Sequence, residues 1–162
     1  MCKHLGTIAF IICSPYLLNQ SLRMHTHPRF HFSFHVTDLN LARQFYGTVL
    51  GCTEGRSTAT WVDFDFYTHQ LSLHLGTPTP TTLTGLVDGK AVPMPHFGLC
   101  LQMDAWQKLA NRLEAETVQF VLPPHIRYAG QAGEQGVLFL CDPFGNAIEV
   151  KGFADFAGVF AA

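Results

Sequence analysis

His31-Phe-Ser-Phe-His-Val-Thr-Asp38 lines up with His96-Phe-Gly-Leu-Cys-Leu-Gln-Met103, and this self-similarity decides the fold. Each stretch alternates apolar with small or polar residues, as a half-buried strand does. Each leads into an amphipathic helix. In the first, Ala42, Phe45, Tyr46 and Val49 fall at i, i+3, i+4 and i+7, with Asp38 as N-cap and Gly51 as stop. In the second, Trp106, Leu109, Ala110 and Leu113 repeat the spacing, and Asp104 with Gln107 has the offset of a capping box.

Strands follow both helices. The first helix is followed by strands near Cys52–Gly55, at Thr60–Tyr67 and at Gln70–Leu75; the second by Thr117–Leu122, Gly136–Cys141 and Ala147–Gly152. The last two are joined by Asp142-Pro-Phe-Gly-Asn146, with Pro and Gly-Asn where a tight turn wants them. The order β-α-β-β-β therefore occurs twice, in an α+β chain. A one-helix module leaves a sheet face to be covered, so two such modules bury those faces against each other or enclose a cavity. The boundaries are an N-terminal extension at 1–28, modules at 29–76 and 96–152, a Pro/Thr/Gly-rich linker at 77–95, and a C-terminal tail at 153–162.

The chain has 162 residues, one domain's length. It is 48% hydrophobic and only 14% charged, with 14 Phe, which argues against disorder and for a β-rich core. Net charge is -2 with no Lys/Arg run, so no nucleic-acid partner is expected. No apolar stretch reaches the ~18 to 20 residues of a membrane span, so no membrane partner is expected either. The five cysteines form no CxxC pair, which fits reduced thiols in a cytoplasmic protein. Residues 1–23 carry an apolar run from Leu5 to Leu18 broken by Pro15, before Met24 opens a polar stretch. The first reading is a translated upstream extension with Met24 as the natural start. Behind it come a packed strand or helix and a cleaved export signal.

Residues two apart on a strand share a face. His31, Ser33 and His35 form one such set; His96, Gly98, Cys100 and Gln102 a second; Gln70, Ser72 and His74 a third; Ala147 and Glu149 a fourth. Four strands thus carry His31, His74, His96 and Glu149 at places read as equivalent. The offsets are 65 positions from 31 to 96 and 75 from 74 to 149, the extra ten falling in the loop around Pro123–Gln135. Quasi-symmetric halves would gather the four around one point. Imidazole and carboxylate together suit Fe, Mn, Ni, Co or Zn, and two His with one carboxylate suits non-haem Fe(II). A lone strand His is more often a surface or core residue, and Glu149 alone could face solvent; it is the combination that points to metal.

Residues 29 to 152 resemble the vicinal oxygen chelate superfamily, which includes glyoxalase I, extradiol dioxygenases and bleomycin-resistance proteins. The carriers are His31 with Val36-Thr-Asp-Leu39, Ala42-Arg-Gln-Phe-Tyr46, Val49-Leu-Gly-Cys52, Pro95-His-Phe97 and Asp142-Pro-Phe-Gly-Asn-Ala-Ile-Glu149. Trp61-Val-Asp-Phe-Asp-Phe66, His69-Gln70 and His74-Leu75 look closer to a bacterial extradiol-dioxygenase-like subgroup. The resemblance implies two βαβββ modules forming a cupped eight-stranded mixed sheet around a metal site, with metal ligands at His31, His96 and Glu149. Glyoxalase I-like members add a fourth from the strand where His74 stands; extradiol dioxygenases generally use three. His74 is then a fourth ligand or a nearby acid/base.

Weaker candidates are Tyr128 and His35 for catalysis and Arg127 for binding an anionic substrate group. Each also has a plain reading: a core aromatic, a hydrogen-bonded strand His, a surface Arg. The implied activity is Fe(II) extradiol-type oxygenation of a small catechol-like substrate, with O2 as partner. The rivals are a glyoxalase-like isomerase or lyase using a divalent metal as Lewis acid, and a metal-free protein that sequesters its ligand. A homodimer is plausible on apolar content.

Overall fold

The computed structural model describes residues 28–160; the readings placed on residues 1–23 lie outside them. Its first module runs β1 (His31–Val36), α1 (Leu39–Ala42), β2 (Thr53–Ser57), β3 (Trp61–Phe66) and β4 (His69–Leu75). The second runs β7 (His96–Gln102), α2 (Met103–Ala115), β8 (Phe120–Arg127), β9 (Gln135–Cys141) and β10 (Ala147–Phe153). The linker is not bare loop: it folds into a hairpin of β5 (Thr82–Val87) and β6 (Lys90–Met94). A short 3-10 helix, Phe156–Phe160, stands in the tail.

The eight module strands divide into two four-stranded mixed sheets, ordered β1-β4-β3-β2 and β7-β10-β9-β8. The same order in both follows from the repeat. In each, the first strand pairs parallel with the last, and the rest are antiparallel.

Asp38 caps α1 as expected, its Oδ1 accepting from the N–H of Asn40 and Leu41. The helix then widens into a π-helical stretch, Arg43–Val49, closed by the Leu50 N–H donating to Phe45 O. That wider turn buries Leu50, while Val49 stays half-exposed. Spacing read at 3.6 residues per turn puts Val49 inward; the wider winding moves the inward position on to Leu50. The capping box expected at α2 does not form. The N-cap is Gln102, without a side-chain bond, and Asp104 sits in the first turn. Trp106, Leu109, Ala110 and Leu113 are buried as the spacing predicts. Trp106 donates Nε1–H to Val150 O at 3.1 Å. Its ring needs Gly136 and Gly152 beneath it, where a Cβ would come within 2.7 and 2.6 Å of Trp106 atoms.

One core joins the modules. Phe97 sits among Phe32, Phe34 and Phe66 with ring centroids 5.1, 5.1 and 6.1 Å away. Phe97, Phe32 and Phe34 are half-buried and pack against the buried core, which includes Phe66. These phenylalanines lie on the strand faces opposite His31 and His96. The modules therefore meet through their apolar faces. Among the described residues no helix is long and apolar enough to cross a membrane.

Candidate functional site

The polar face of the first sheet carries a chain of hydrogen bonds. Asp63 is buried and accepts from Ser72 Oγ, Gln70 Nε2 (3.0 Å) and Arg56 (3.3 Å). Burial would raise its carboxyl; the hydrogen bonds from Ser72, Gln70 and Arg56 together outweigh that and hold it below the usual carboxylate range. Because an ionised carboxylate only accepts, Gln70 must turn its NH2 to Asp63 and its Oε1 to His31, 3.0 Å from Nδ1. His31 Nδ1 therefore carries a proton, and in the neutral imidazole Nε2 is the lone pair. Sequence reading missed this Asp63–Gln70 support. Its signal was present, since Asp63 and Gln70 fall on alternate positions of adjacent strands.

The second sheet repeats the device with a carbonyl. His96 Nδ1 lies 3.0 Å from Pro93 O, which can only accept, so Nδ1 donates, and in the neutral imidazole Nε2 carries the lone pair. That Nε2 stands 3.4 Å from Glu149 Oε2, and Lys151 Nζ reaches the same oxygen at 3.4 Å. A lone pair and a carboxylate oxygen converging in this way attract a cation. β7 and β10 approach so closely that any Cβ at Gly98 would collide with the Glu149 carbonyl.

The strand register corrects one equivalence. His31 pairs with Gln70 and Ser33 with Ser72, while His96 pairs with Ala147 and Gly98 with Glu149. The first-module counterpart of Glu149 is therefore Ser72, not His74. His74 pairs with His35 and is the counterpart of Lys151, which pairs with Cys100. A parallel pairing across 39 residues fixes this, and counting along the chain does not reveal it.

The four residues expected to meet do not converge within one chain. His31 lines a shallow cleft with Asp63 and Gln70. His96 lines a separate cavity of about 540 Å³ at the seam between the modules, with Ser33, His35, His74 and Asn146. Among the described residues no group of three or more His, Cys, Asp or Glu could hold a metal. A single chain thus offers two half-sites, His31 on one sheet and His96 with Glu149 on the other, and imidazole with carboxylate is the donor chemistry a transition metal takes.

The seam cavity brings His35 and His74 together under Thr79 and Thr81 of the linker. His74 lies over Trp61, with ring centroids 6.3 Å apart. The His35 ring packs where a Cβ on Gly76 would come within 2.6 Å, and its backbone carbonyl accepts from Asn146 Nδ2 at 3.3 Å. Tyr128 borders a different cavity, with Lys151 and Cys100. Arg127 is already engaged: its Nε donates to Asp88 at the hairpin turn, and its Nη2 donates to the Tyr128 hydroxyl. His125 also bonds Asp88, at 3.1 Å. The guanidinium therefore clamps the β5–β6 hairpin over the second sheet, where Val92 packs with Leu122, Val137 and Phe139. Cys52, Cys100 and Cys141 are free; burial pushes the Cys52 thiol up to about 12.

Comparison with known proteins agrees with the fold. A family model described as the Glyoxalase/Bleomycin resistance protein/Dioxygenase superfamily matches residues 30–150. A solved glyoxalase/bleomycin resistance protein/dioxygenase from Alicyclobacillus acidocaldarius is 26% identical, with a TM-score of 0.67, over 83% of this chain and 97% of that one. Lactoylglutathione lyase from Agrobacterium tumefaciens is 20% identical, TM-score 0.57, over 78% of this chain and 94% of its own. The fosfomycin resistance protein FosX from Listeria monocytogenes is 17% identical, TM-score 0.58, over 82% and 97%. At 20% and 17% identity the last two show the fold alone. No functionally curated protein matches the sequence.

Proposed function

The chain belongs to the glyoxalase/bleomycin resistance protein/dioxygenase superfamily, and from that premise we propose that it is a metal-dependent enzyme, an Fe(II) extradiol-type dioxygenase acting on a small catechol-like substrate, with each metal centre shared between two copies of the chain. The observation that carries this reading is the meeting of His96 Nε2 and Glu149 Oε2 at 3.4 Å, with Nδ1 of His96 already committed to Pro93. His31, its Nδ1 committed to Gln70, supplies a third donor from the open face of a second copy. Both polar faces are turned away from the shared core, so a second chain can bring one against the other, and closed two-fold pairing gives two such centres.

His31, His96 and Glu149 would hold the metal. Two imidazoles and one carboxylate leave positions open, and such a centre, as Fe(II), can bind two neighbouring oxygens of a substrate together with O2. Ser72 stands at the counterpart of Glu149 with its hydroxyl engaged by Asp63, so the repeat supplies no fourth ionisable donor there. That favours three ligands over the four of a glyoxalase I-like isomerase. His74 and His35 are then proton acceptors for a substrate hydroxyl, neighbours in register on β1 and β4. Phe32, Phe34 and Phe97 line the same seam cavity as His74 and His35.

A mixing experiment tests the shared centre. His31→Ala and Glu149→Ala are each expected to lose iron when purified and reconstituted without oxygen. Co-refolding them in equal amounts is expected to restore iron to about a quarter of the centres, since half of the dimers are mixed and each mixed dimer rebuilds one intact centre of two. No restoration overturns the shared centre. Absence of iron uptake by the wild type overturns the metal reading. Iron uptake with no oxygen consumption on any catechol tried overturns the dioxygenase assignment.

A further inference from the structure

One rung along the second sheet from Glu149, we propose a subsite for the carboxylate of an acidic, ring-bearing substrate, with Lys151 as its cation; this rests on the metal-centre reading and names the substrate class for it. The polar face of β7, β10 and β9 is a ladder. Gly98, Glu149 and Phe139 form one rung; Cys100, Lys151 and Val137 the next; Gln102, Phe153 and Gln135 the third. The second and third rungs border a cavity of about 350 Å³, closed by Tyr128, Phe153 and Val159.

Three observations make this a ligand site. Lys151 stays about one-third exposed (35%) toward the cavity although its Nζ touches Glu149 Oε2 at 3.4 Å. An ammonium has three donors, and only one is directed to Glu149. Gln135 Oε1 is the buried side-chain acceptor among the described residues that has no hydrogen-bond partner. A buried orphan acceptor costs about 1 to 3 kcal/mol unless something donates to it. Tyr128 accepts from Arg127 Nη2, so its own O–H remains to donate, and its left-handed backbone (φ 54) holds the ring against the Arg127 guanidinium, 4.8 Å from the ring centroid.

These groups also define the ligand. Lys151 and the Tyr128 O–H suit one carboxylate. A dianionic phosphoryl group would face the Glu149 carboxylate with only one ammonium between them. Arg127, the other cation near the cavity, is neutralised by Asp88. Phe153 offers an apolar wall for a ring, and Gln135 accepts from a hydroxyl or amide N–H next to it. Residues two apart on a strand are about 7 Å apart, roughly the span of one aromatic ring. A substrate whose oxygens face Glu149 therefore carries its acid on the far side of a single ring.

The test uses benzoate and benzamide, a pair of the same shape that differs in charge and cannot chelate a metal through neighbouring hydroxyls. Each is titrated into the full-length wild type, Lys151→Met and Lys151→Arg by NMR, with folding checked by circular dichroism and metal content measured on the same samples. Wild type is expected to bind benzoate at least about ten-fold more tightly than benzamide, the scale of a charge-assisted hydrogen bond. Lys151→Met is expected to lose that preference and Lys151→Arg to keep it. Equal binding of the two by wild type, or an undiminished preference in Lys151→Met, overturns the subsite. A Lys151-dependent preference in protein that takes up no iron upholds the subsite and overturns the metal reading. Iron uptake without the preference upholds the metal reading and overturns the subsite.

Discussion

The Tyr46 hydroxyl donates a 2.9 Å hydrogen bond to Asp142 Oδ2, tying the helix of the first module to the β9–β10 turn of the second across 96 positions of chain. Asp142 also accepts from the backbone N–H of Phe144 and Asn146 and from Asn146 Nδ2. Burial nevertheless pushes its carboxyl above the usual range, and burial also pushes the Tyr46 phenol well above 10.0. This bond and the Asn146 contact to His35 O set where one polar face stands relative to the other.

Tyr46→Phe is expected to destabilise the fold by about 1 to 2 kcal/mol, since it leaves one side of a buried carboxylate without its donor while the other donors remain. Urea unfolding should show a lower midpoint with an unchanged slope. A midpoint equal to wild type would mean that the tie contributes nothing.

Gln70→Leu removes the acceptor that fixes the His31 tautomer and leaves the Asp63 end of the chain short of a donor. Iron affinity is expected to fall about 10- to 100-fold, the usual effect of losing the partner behind a ligating imidazole. A chelator competition titration reads this. His74→Ala, two rungs from His31 on the first sheet, is expected to leave iron affinity unchanged while lowering turnover.

Gly98→Ala is expected to push β10 away from β7, because the new methyl has the Glu149 carbonyl in its place. Backbone cannot yield as a side-chain tip can. The variant should lose iron as completely as Glu149→Ala and lose stability as well, which separates it from a simple ligand deletion. Normal iron uptake would show that the two strands separate easily.

Asp63 gives a pH signature. Its folded carboxyl lies below the unfolded value, so folding favours the ionised form. The stability this contributes is full above the unfolded value of about 3.9 and is lost as pH falls through it toward the folded value. Asp63→Asn is expected to flatten that acid limb of the urea midpoint while lowering the midpoint at neutral pH. An unchanged acid limb would place the titration elsewhere.

The sequence by itself determined the two modules, their strands, the capped start of α1 and the apolar stripe of α2. Period-2 alternation and helical spacing are local and are written twice. It also marked His31, His96 and Glu149 by type and placed each on a polar strand face. The tertiary structure decided which faces meet. Alternation says which residues share a face, yet it cannot say whether two modules join by their polar or apolar sides. Here Phe97 enters the ring cluster of Phe32, Phe34 and Phe66, so the apolar sides join, and His31 and His96 line separate pockets. The same holds for register. The parallel pairing of β1 with β4 is a contact between distant segments, and it alone made Ser72 rather than His74 the counterpart of Glu149. Lys151 and Gln135 became a site only when β10 paired with β9 and brought two ordinary strand residues to one cavity.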